Sequence, residues 1–468
     1  MTTASATTAT IDFGGNRYRT ILRLAMPTVI AMLSQSVVNE IDVVFFSRLP
    51  NPEGSNGQAA LLPSLIVVWL FGGSLSAVSV GTQALTARRV AEGEPKGASA
   101  VLSNAAFFCL VAGAIASGIG YLTLPSILGF MLKKPEVLDM AVAYSRWRLL
   151  GVISMAMTMA IKAFFDGIGK THVHLVAAVV MNVFNVLFCW TFIYGNFGAP
   201  RMGPPGAGMS AFLATWIGLF IMLLYTRRLP ERFDGFRREH LSRALTWSIL
   251  RLSIPAAFAT VILMVGFGLF SSIVGRLDAA SGAAGGTEAV NGAATTDIVA
   301  ILKLTFTACI AFGTATATLV SQSLGARRPD DASSFGWASV RLGLVIFGLV
   351  GLAEGVVFTP QIVHFISHSP AVQEAATVPM RMMGVITPVI SIAMILSEAL
   401  FGAGNTKFVA IAQAILVFGC LVPLAYVLGV SAGIGLVGIW ASACVYATLA
   451  ALTMSFKFHQ GKWKEIRL

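Results

Sequence analysis

Twelve long apolar segments, separated by short polar stretches, run through almost the whole sequence. Each segment is long enough to cross a hydrocarbon core of about 30 Å as a helix, at a rise of about 1.5 Å per residue. The pattern therefore predicts an all-α polytopic membrane protein with twelve transmembrane helices. The predicted helices cover residues 21–48, 60–86, 99–124, 139–164, 172–195, 207–226, 248–275, 296–322, 335–358, 378–401, 407–429 and 433–456.

The two halves of the sequence resemble each other. Ile-Leu-Arg-Leu-Ala-Met-Pro at 21–27 recurs as Ile-Leu-Arg-Leu-Ser-Ile-Pro at 249–255, and Gly-Ile-Gly-Lys-Thr at 167–171 recurs as Gly-Ala-Gly-Asn-Thr at 402–406. Six helices return the chain to its starting side, so we expect two lobes of the same orientation, related by a pseudo-two-fold axis along the membrane normal. This arrangement places a cavity between the lobes.

The repeat also predicts how the chain is divided. We expect short polar tails at both ends, two lobes of six helices each, and a linker between the lobes. The predicted parts are an N-terminal tail (1–20), an N-lobe (21–226), a linker (227–247), a C-lobe (248–456) and a C-terminal tail (457–468).

Composition and charge agree with a membrane protein. Of the 468 residues, 56% are hydrophobic and 11% are charged, with a mean hydropathy of +0.79, which excludes a soluble chain. The net charge of +11 is one-sided, because most Lys and Arg lie on the side of the predicted membrane that holds both termini. This distribution predicts cytoplasmic termini in a cell membrane and argues against nucleic acid as a partner. The Arg-rich linker is either placed against anionic lipid headgroups or is an ordinary solvated loop.

A polar stripe interrupts the first apolar segment. Gln35, Asn39 and Asp42 are spaced i, i+4, i+7 and share one helical face, whereas Glu40 projects elsewhere. A charged side chain within a membrane helix costs about 2.5 to 3.5 kcal/mol on insertion scales and is a functional hypothesis by default. We interpret Asp42 as a carboxylate that binds a cation or a proton in a polar cavity. The alternative is an interfacial acid, because Arg48 follows about 9 Å further along the helix.

Other reactive side chains are weaker candidates for functional residues. The five cysteines lie in apolar segments without regular spacing, and this indicates neither a disulfide framework nor a metal site. Lys303, near the outer end of the eighth segment, could contact substrate or extend to the interface. Lys162 and Glu398 precede the two Gly-x-Gly-x-Thr turns at nearly equivalent places. We favour extension of these side chains to the interface, and an ion pair that gates the inner face is the alternative.

Several motifs, duplicated and in order, make the sequence resemble the multidrug and toxic compound extrusion (MATE) family. The resemblance covers nearly the whole chain, from Ile21 to Leu468. It implies two lobes of six helices, a central substrate cavity, and drug export driven by inward flow of protons or sodium ions. The motifs are Leu24-Ala-Met-Pro27, Asn39-x-x-Asp42-x-x-Phe45-x-x-Arg48-Leu49, the turns at 167–171 and 402–406, and Ser321-Gln-Ser-Leu-Gly325.

The resemblance also implies roles for individual residues. The acid of the family's first helix falls on Asp42, its asparagine partner on Asn39, and the proline at the helix bend on Pro27. The family often shows Asn-x-x-x-Asp in the fifth helix. Here Asn185 matches the asparagine, but Cys189 occupies the place of the aspartate.

The missing acid bears on the coupling ion. Asn182, Asn185 and Cys189 share one face by i, i+3, i+7 spacing, so the stripe is kept with one carboxylate fewer. Sodium requires several oxygen ligands, whereas a proton requires one titratable carboxylate. We therefore expect proton rather than sodium coupling, with no other cofactor. The expected coupling residues are Asp42, Asn39 and Asn185, and the expected cavity residues are Gln35, Asn182, Cys189 and Lys303.

Three functions remain under comparison. The favoured one is a monomeric secondary active exporter of lipophilic or organic cationic compounds that works by alternating access. A lipid or oligosaccharide flippase of the same superfamily should carry more Lys and Arg within the helices of both lobes than Lys162 and Lys303. A polytopic membrane enzyme should cluster His, Asp or Glu at converging helix ends, and the six histidines are scattered. We therefore expect no enzymatic activity.

Overall fold

A computed structural model describes most of the chain. Within the described residues every regular element is a helix and no strand occurs, so the predicted all-α fold is confirmed. The described residues are 15–39, 42, 45–46, 48–50, 53–132, 135–230, 233–283, 290–366 and 370–466.

The first half of the chain contains eight of these helices. Two pairs among them are bent at short breaks, α2 with α3 by 44° and α5 with α6 by 41°. The helices are α1 (Arg17–Asn39), α2 (Glu53–Phe71), α3 (Val78–Ala91), α4 (Pro95–Met131), α5 (Pro135–Leu150), α6 (Val152–Gly167), α7 (His172–Tyr194) and α8 (Pro204–Arg227).

The second half is similarly helical. Short π-helical turns at Ala353–Val357, Val417–Leu421 and Val427–Ser431 continue its helices, and the first and last of these turns form the ends of the spans Pro329–Val357 and Thr406–Ser431. The helices are α9 (Arg243–Ala283), α10 (Val290–Gly325), α11 (Pro329–Leu352), α12 (Thr359–Ile366), α13 (Pro370–Gly402), α14 (Thr406–Leu416), α15 (Val422–Tyr426) and α16 (Leu436–Gln460).

The described helices are consistent with the predicted number of spans. Nine are long and apolar enough to cross a membrane, and eleven result if each bent pair is one span. Many apolar side chains on these helices are exposed, as expected for surfaces that face lipid tails.

The chain forms two compact units. Unit 1 contains Met26–Ser253, and unit 2 contains Ile254–Leu468 together with the start of α1 up to Ala25. Both boundaries fall inside long helices, each one residue before the prolines Pro27 and Pro255 of the repeated motif. The predicted lobes, divided at the 227–247 linker, stay a prediction.

Each unit has its own apolar core. In unit 1 a cluster of buried residues surrounds Phe164 and Phe165, and in unit 2 a larger cluster surrounds Phe270 and Trp440. Lipid tails are as apolar as Leu, so close packing rather than exclusion of water stabilises contacts between membrane helices.

The two Gly-x-Gly-x-Thr turns have the same local structure. Their middle glycines, Gly169 and Gly404, adopt φ of +78° and +87°, a left-handed conformation that favours glycine. Their first glycines, Gly167 and Gly402, lie so close to a neighbouring helix that an added Cβ would overlap Thr86 of α3 or Ala317 of α10. The sequence repeat is therefore also a structural repeat, because both turns use their glycines for the same two purposes.

Candidate functional site

Asp42 lies inside unit 1, just beyond the end of α1. It is 8% exposed, so it faces protein rather than lipid or bulk water, which favours a carboxylate in an enclosed polar site over an interfacial acid. The Tyr144 hydroxyl of α5 donates a hydrogen bond to its Oδ2 at 3.1 Å, and the Cys189 thiol of α7 donates to its Oδ1 at 3.7 Å. Both carboxylate oxygens therefore accept from side chains of other helices.

Contacts after Asp42 hold this segment in place. Phe46 packs edge to face on Tyr144, with ring centroids 6.4 Å apart and an interplanar angle of 82°. The hydroxyl of Tyr194, at the end of α7, donates to the backbone carbonyl of Phe45 at 3.0 Å. The helices that supply the partners of Asp42 thus also fix the backbone that follows it.

Helix α5 contributes a cation as well as the hydroxyl. Arg148 lies one helical turn after Tyr144, and its guanidinium carbon is 5.8 Å from the centroid of the Tyr144 ring. From this position the guanidinium interacts electrostatically with Asp42, Tyr144 and Cys189. The charge of the Asp42 carboxylate is therefore offset by a fixed positive charge within the protein.

Small residues let the contributing helices approach closely. Gly208 of α8 meets the backbone of Tyr144, so that an added Cβ would overlap the Tyr144 carbonyl oxygen. Gly206 meets the backbone at Phe192 and Ile193 of α7 in the same way. Helix α8 therefore packs tightly against both α5 and α7, which positions their side chains around Asp42.

The predicted stripe on α7 is buried, as its spacing suggested, but its members have different neighbours. Asn182, Asn185 and Cys189 all lie inside the protein. The Asn182 amide donates to the Ser34 hydroxyl of α1 at 3.2 Å, and its buried carbonyl oxygen has no hydrogen-bond partner among the described residues. The two hydrogen bonds that Asp42 accepts come from Tyr144 and Cys189 rather than from Asn185. The stripe thus contacts α1 at Ser34 and the segment after α1 at Asp42.

The remaining predicted residues are less informative. Gln35 is half-buried on α1, and Pro27 lies inside α1, which continues through it as one helix. Lys303 is exposed on α10 in unit 2. Asn39 ends α1, but its side chain and all of Glu40 lie outside the described residues. The roles expected for these residues stay predictions.

A second buried charged group lies at the end of α6. Lys162 Nζ is 2.6 Å from Oδ2 of Asp166, and the two side chains are 10% and 1% exposed. The favoured interpretation of Lys162, extension to the interface, is wrong, because its ammonium group is paired inside the protein. Glu398, at the equivalent place in unit 2, is half-buried and packs against Gly313.

Sequence reasoning missed Tyr144, Arg148 and Asp166. Each lies at i, i+4 spacing from a polar residue of the same apolar segment: Tyr144 with Arg148, and Lys162 with Asp166. That spacing indicates polar residues on one helical face and could have identified both pairs.

The arrangement around Asp42 has defined chemical properties. A carboxylate that accepts from a phenol and a thiol, beside a guanidinium, can hold a negative charge inside the protein, and a proton on it would leave the guanidinium charge unbalanced. Among the described residues, no group of three or more His, Cys, Asp and Glu side chains could hold a metal ion.

Comparison with known proteins places the chain in a family. The sequence model of the MatE family matches residues 27–191 and 255–427. The chain is 22% identical over 455 residues to the probable multidrug resistance protein NorM of Thermotoga maritima, with 95% of this chain and 93% of that protein aligned. It is 24% identical over 459 residues to the multidrug resistance protein PmpM of Pseudomonas aeruginosa, covering 96% and 92%.

Solved structures show the same fold. The chain is similar to a MATE protein in complex with MaL6, at a TM-score of 0.86 and 19% identity over 97% of this chain and 100% of that one. It is equally similar to an outward-facing multidrug resistance MATE transporter of the MOP superfamily, with a TM-score of 0.86 and 19% identity over 97% and 99%. With the family model matched in both halves, the chain belongs to the multidrug and toxic compound extrusion family of membrane transporters.

Proposed function

We propose that this protein is a secondary active multidrug exporter that exchanges drug-like organic cations for protons, and that Asp42 carries the proton. The single observation that supports this most is the burial of Asp42 among the hydrogen-bond donors Tyr144 and Cys189, beside Arg148. Relatives over nearly the full length of the chain are described as multidrug resistance proteins, which supports export of varied small molecules.

The neighbours of Asp42 favour a proton over sodium. Sodium, like other hard cations, binds best among several oxygen atoms with free lone pairs. The Tyr144 hydroxyl and the Cys189 thiol instead direct their hydrogens at the carboxylate. In addition, the Arg148 guanidinium would repel a second cation at this place.

Protonation would change how Asp42 is held. Hydrogen bonds to a charged group contribute about 1.5 to 3 kcal/mol each, and they weaken when the acceptor becomes neutral. A proton on Asp42 would also end its attraction to Arg148. The segment after α1 would then be held less tightly by α5 and α7.

This loosening supplies a route from proton binding to cargo release. Pro27 removes one backbone hydrogen bond from α1, which makes this helix able to bend when its far end is freed. In the proposed cycle, protonation favours the substrate-releasing shape, and deprotonation restores the contacts of Asp42 and with them the substrate-binding shape. Proton and cargo thus compete through the shape of the protein that each of them favours.

Transport in sealed vesicles tests this function. Purified protein in liposomes would be given a fluorescent organic cation, with a pH gradient or a sodium gradient imposed separately. We expect accumulation with the pH gradient alone, loss of this accumulation in Asp42→Asn, and normal transport in Asp139→Asn, which changes an exposed acid of α5. Accumulation that follows only the sodium gradient would contradict proton coupling, and normal transport by Asp42→Asn would remove Asp42 from the mechanism.

A further inference from the structure

Unit 2 has a surface groove that the proposed transport cycle does not use. The groove has a volume of about 440 Å³, and three cationic side chains line it: Arg17 at the start of α1, Arg341 of α11, and Lys464 near the C-terminus. The one carboxylate that lines it belongs to Asp330. The groove is therefore positively charged overall.

Aromatic packing gives the groove a fixed wall. Trp463 is fully buried, stacks on Phe458 with ring centroids 4.5 Å apart, and donates from its indole nitrogen to the Phe458 carbonyl at 2.7 Å. Trp337 of α11 packs edge to face on the same phenylalanine at 5.7 Å. These contacts hold the C-terminal segment against α11 and α16, so that Lys464 has a defined place at the edge of the groove.

Two of the cations already have partners within the protein, but the third does not. Arg17 pairs with Asp331 at 3.1 Å, and Lys464 pairs with Asp330 at 2.9 Å. Arg341 forms no ion pair or hydrogen bond within the described residues, and it is exposed in the groove that Ser333 and Ser334, about two turns earlier on α11, also line. Its guanidinium can therefore bind an external anion, with hydroxyl donors in the same groove.

Arg341 also begins an apolar stripe along α11. Val345, Leu349 and Leu352 follow it at i+4, i+8 and i+11, and they are 61%, 65% and 50% exposed. This spacing puts all four residues on one helical face. On a membrane helix such an exposed apolar face contacts acyl chains.

Aromatic side chains mark the level of the groove relative to the bilayer. Tyr18 and Trp337 line the groove beside Arg341, and Tyr and Trp are enriched where the hydrocarbon core meets the headgroups. The Arg341 cation at this level suits the headgroup of a lipid molecule. The apolar surface on its membrane side suits the tails of the same molecule.

We propose that this groove binds an anionic phospholipid. Its phosphate lies against the Arg341 guanidinium, whose planar donors suit bidentate recognition of phosphate. The hydroxyls of Ser333 and Ser334 supply further donors, and the acyl chains follow Val345, Leu349 and Leu352. The predicted cytoplasmic side of the groove agrees with this ligand, because anionic lipids are concentrated in the cytoplasmic leaflet.

Native mass spectrometry of detergent-purified protein tests the assignment. The delipidated protein would be titrated with phosphatidylglycerol, with phosphatidylcholine, and with inorganic phosphate. We expect one tightly retained phosphatidylglycerol, at least about tenfold weaker phosphatidylcholine, and loss of that retention in Arg341→Gln. Arg341→Lys should retain part of the binding, because charge is kept while the bidentate geometry is lost.

Controls separate a specific site from general attraction to basic protein. Arg251→Gln removes another exposed arginine of a membrane helix that does not line this groove, and should bind phosphatidylglycerol as the unchanged protein does. Equal retention by the unchanged protein and by Arg341→Gln, each seen as intact folded monomer, would overturn the proposal. Displacement of the lipid by inorganic phosphate at similar concentrations would show a phosphate site instead, and would also overturn it.

Discussion

The Tyr144 hydroxyl donates a hydrogen bond to Oδ2 of Asp42 at 3.1 Å and thereby links α5 to the segment that follows α1. Both residues are buried, and Arg148 lies over the tyrosine ring. Tyr144 contacts both a carboxylate and a guanidinium, so the strength of its hydrogen bond depends on the charge of either group. Protonation of Asp42 would therefore weaken this hydrogen bond and so change a contact with α5.

Tyr144→Phe should move the pH dependence of transport towards higher pH. The phenol stabilises the ionised carboxylate, so without it Asp42 holds its proton more tightly and releases it only at higher pH. A hydrogen bond to a charged group contributes about 1.5 to 3 kcal/mol, so we expect the midpoint to rise by about one to two pH units.

The measurement is initial drug efflux at a series of pH values in vesicles. Tyr121→Phe is a matched control, because Tyr121 also has an arginine, Arg146, over its ring at 5.2 Å but is an exposed residue away from Asp42. An unchanged midpoint in Tyr144→Phe would show that this contact does not influence proton binding.

Arg148→Gln should make the site accept sodium. Two unit positive charges about 6 Å apart repel each other by about 3 kcal/mol at an effective dielectric constant of about 20. Removal of the guanidinium should therefore increase apparent sodium affinity by tenfold or more, seen as sodium stimulation of drug efflux at constant pH. Arg146→Gln, two residues earlier on the same helix, should stay insensitive to sodium. If both variants respond alike, the charge of Arg148 is not what excludes sodium.

Cys189→Asp should also make drug efflux respond to sodium. The aspartate would add carboxylate oxygens next to Asp42, and sodium binds best to several such ligands. We expect sodium to stimulate transport in this variant, whereas Cys189→Ser, which keeps a hydrogen-bond donor to Asp42, should remain driven by protons alone. Sodium-independent transport by Cys189→Asp, at a normal rate, would argue that the coupling ion is decided elsewhere.

Breaking the Lys162–Asp166 pair should destabilise unit 1. Removal of one partner from a buried ion pair leaves an uncompensated charge and costs about 3 to 5 kcal/mol. Asp166→Asn and Lys162→Gln should each lower the Tm in detergent micelles, and Lys162→Met with Asp166→Leu should recover most of the loss.

The exposed pair of Arg89 and Glu94, at 2.7 Å, provides the comparison. Its side chains are well exposed, so Glu94→Gln should change the stability by about 1 kcal/mol or less. If Asp166→Asn were as mild as Glu94→Gln, the buried pair would contribute no more than a surface contact.

Much of this architecture could be predicted from the pattern of apolar segments and the internal repeat. The polar stripe in the first segment identified Asp42, and the family resemblance together with helix periodicity placed Cys189 on a shared face with Asn182 and Asn185. Tyr144 and Arg148 could not be assigned to the site, because sequence does not show which face of α5 meets Asp42. That orientation results from close packing of α8 against α5 at Gly208, a contact between distant parts of the chain.

Lys162 shows a different limit of prediction from the sequence. A lysine near the end of an apolar segment fits extension to the interface as well as burial, since its long side chain can reach water. The buried state depends on Asp166, one turn later, which supplies the opposite charge inside the protein. Searching apolar segments for oppositely charged residues at i, i+4 spacing would have separated the two possibilities.

The most direct test of the central claim is proton movement caused by substrate. Vesicles in sodium-free buffer would have a pH-sensitive dye on the side from which the drug is exported, and an organic cation would be added on that same side. The account predicts proton release to that side as the cation is bound and carried, and no release by Asp42→Asn that is folded to the same Tm. Equal proton release by the unchanged protein and by Asp42→Asn would contradict the account.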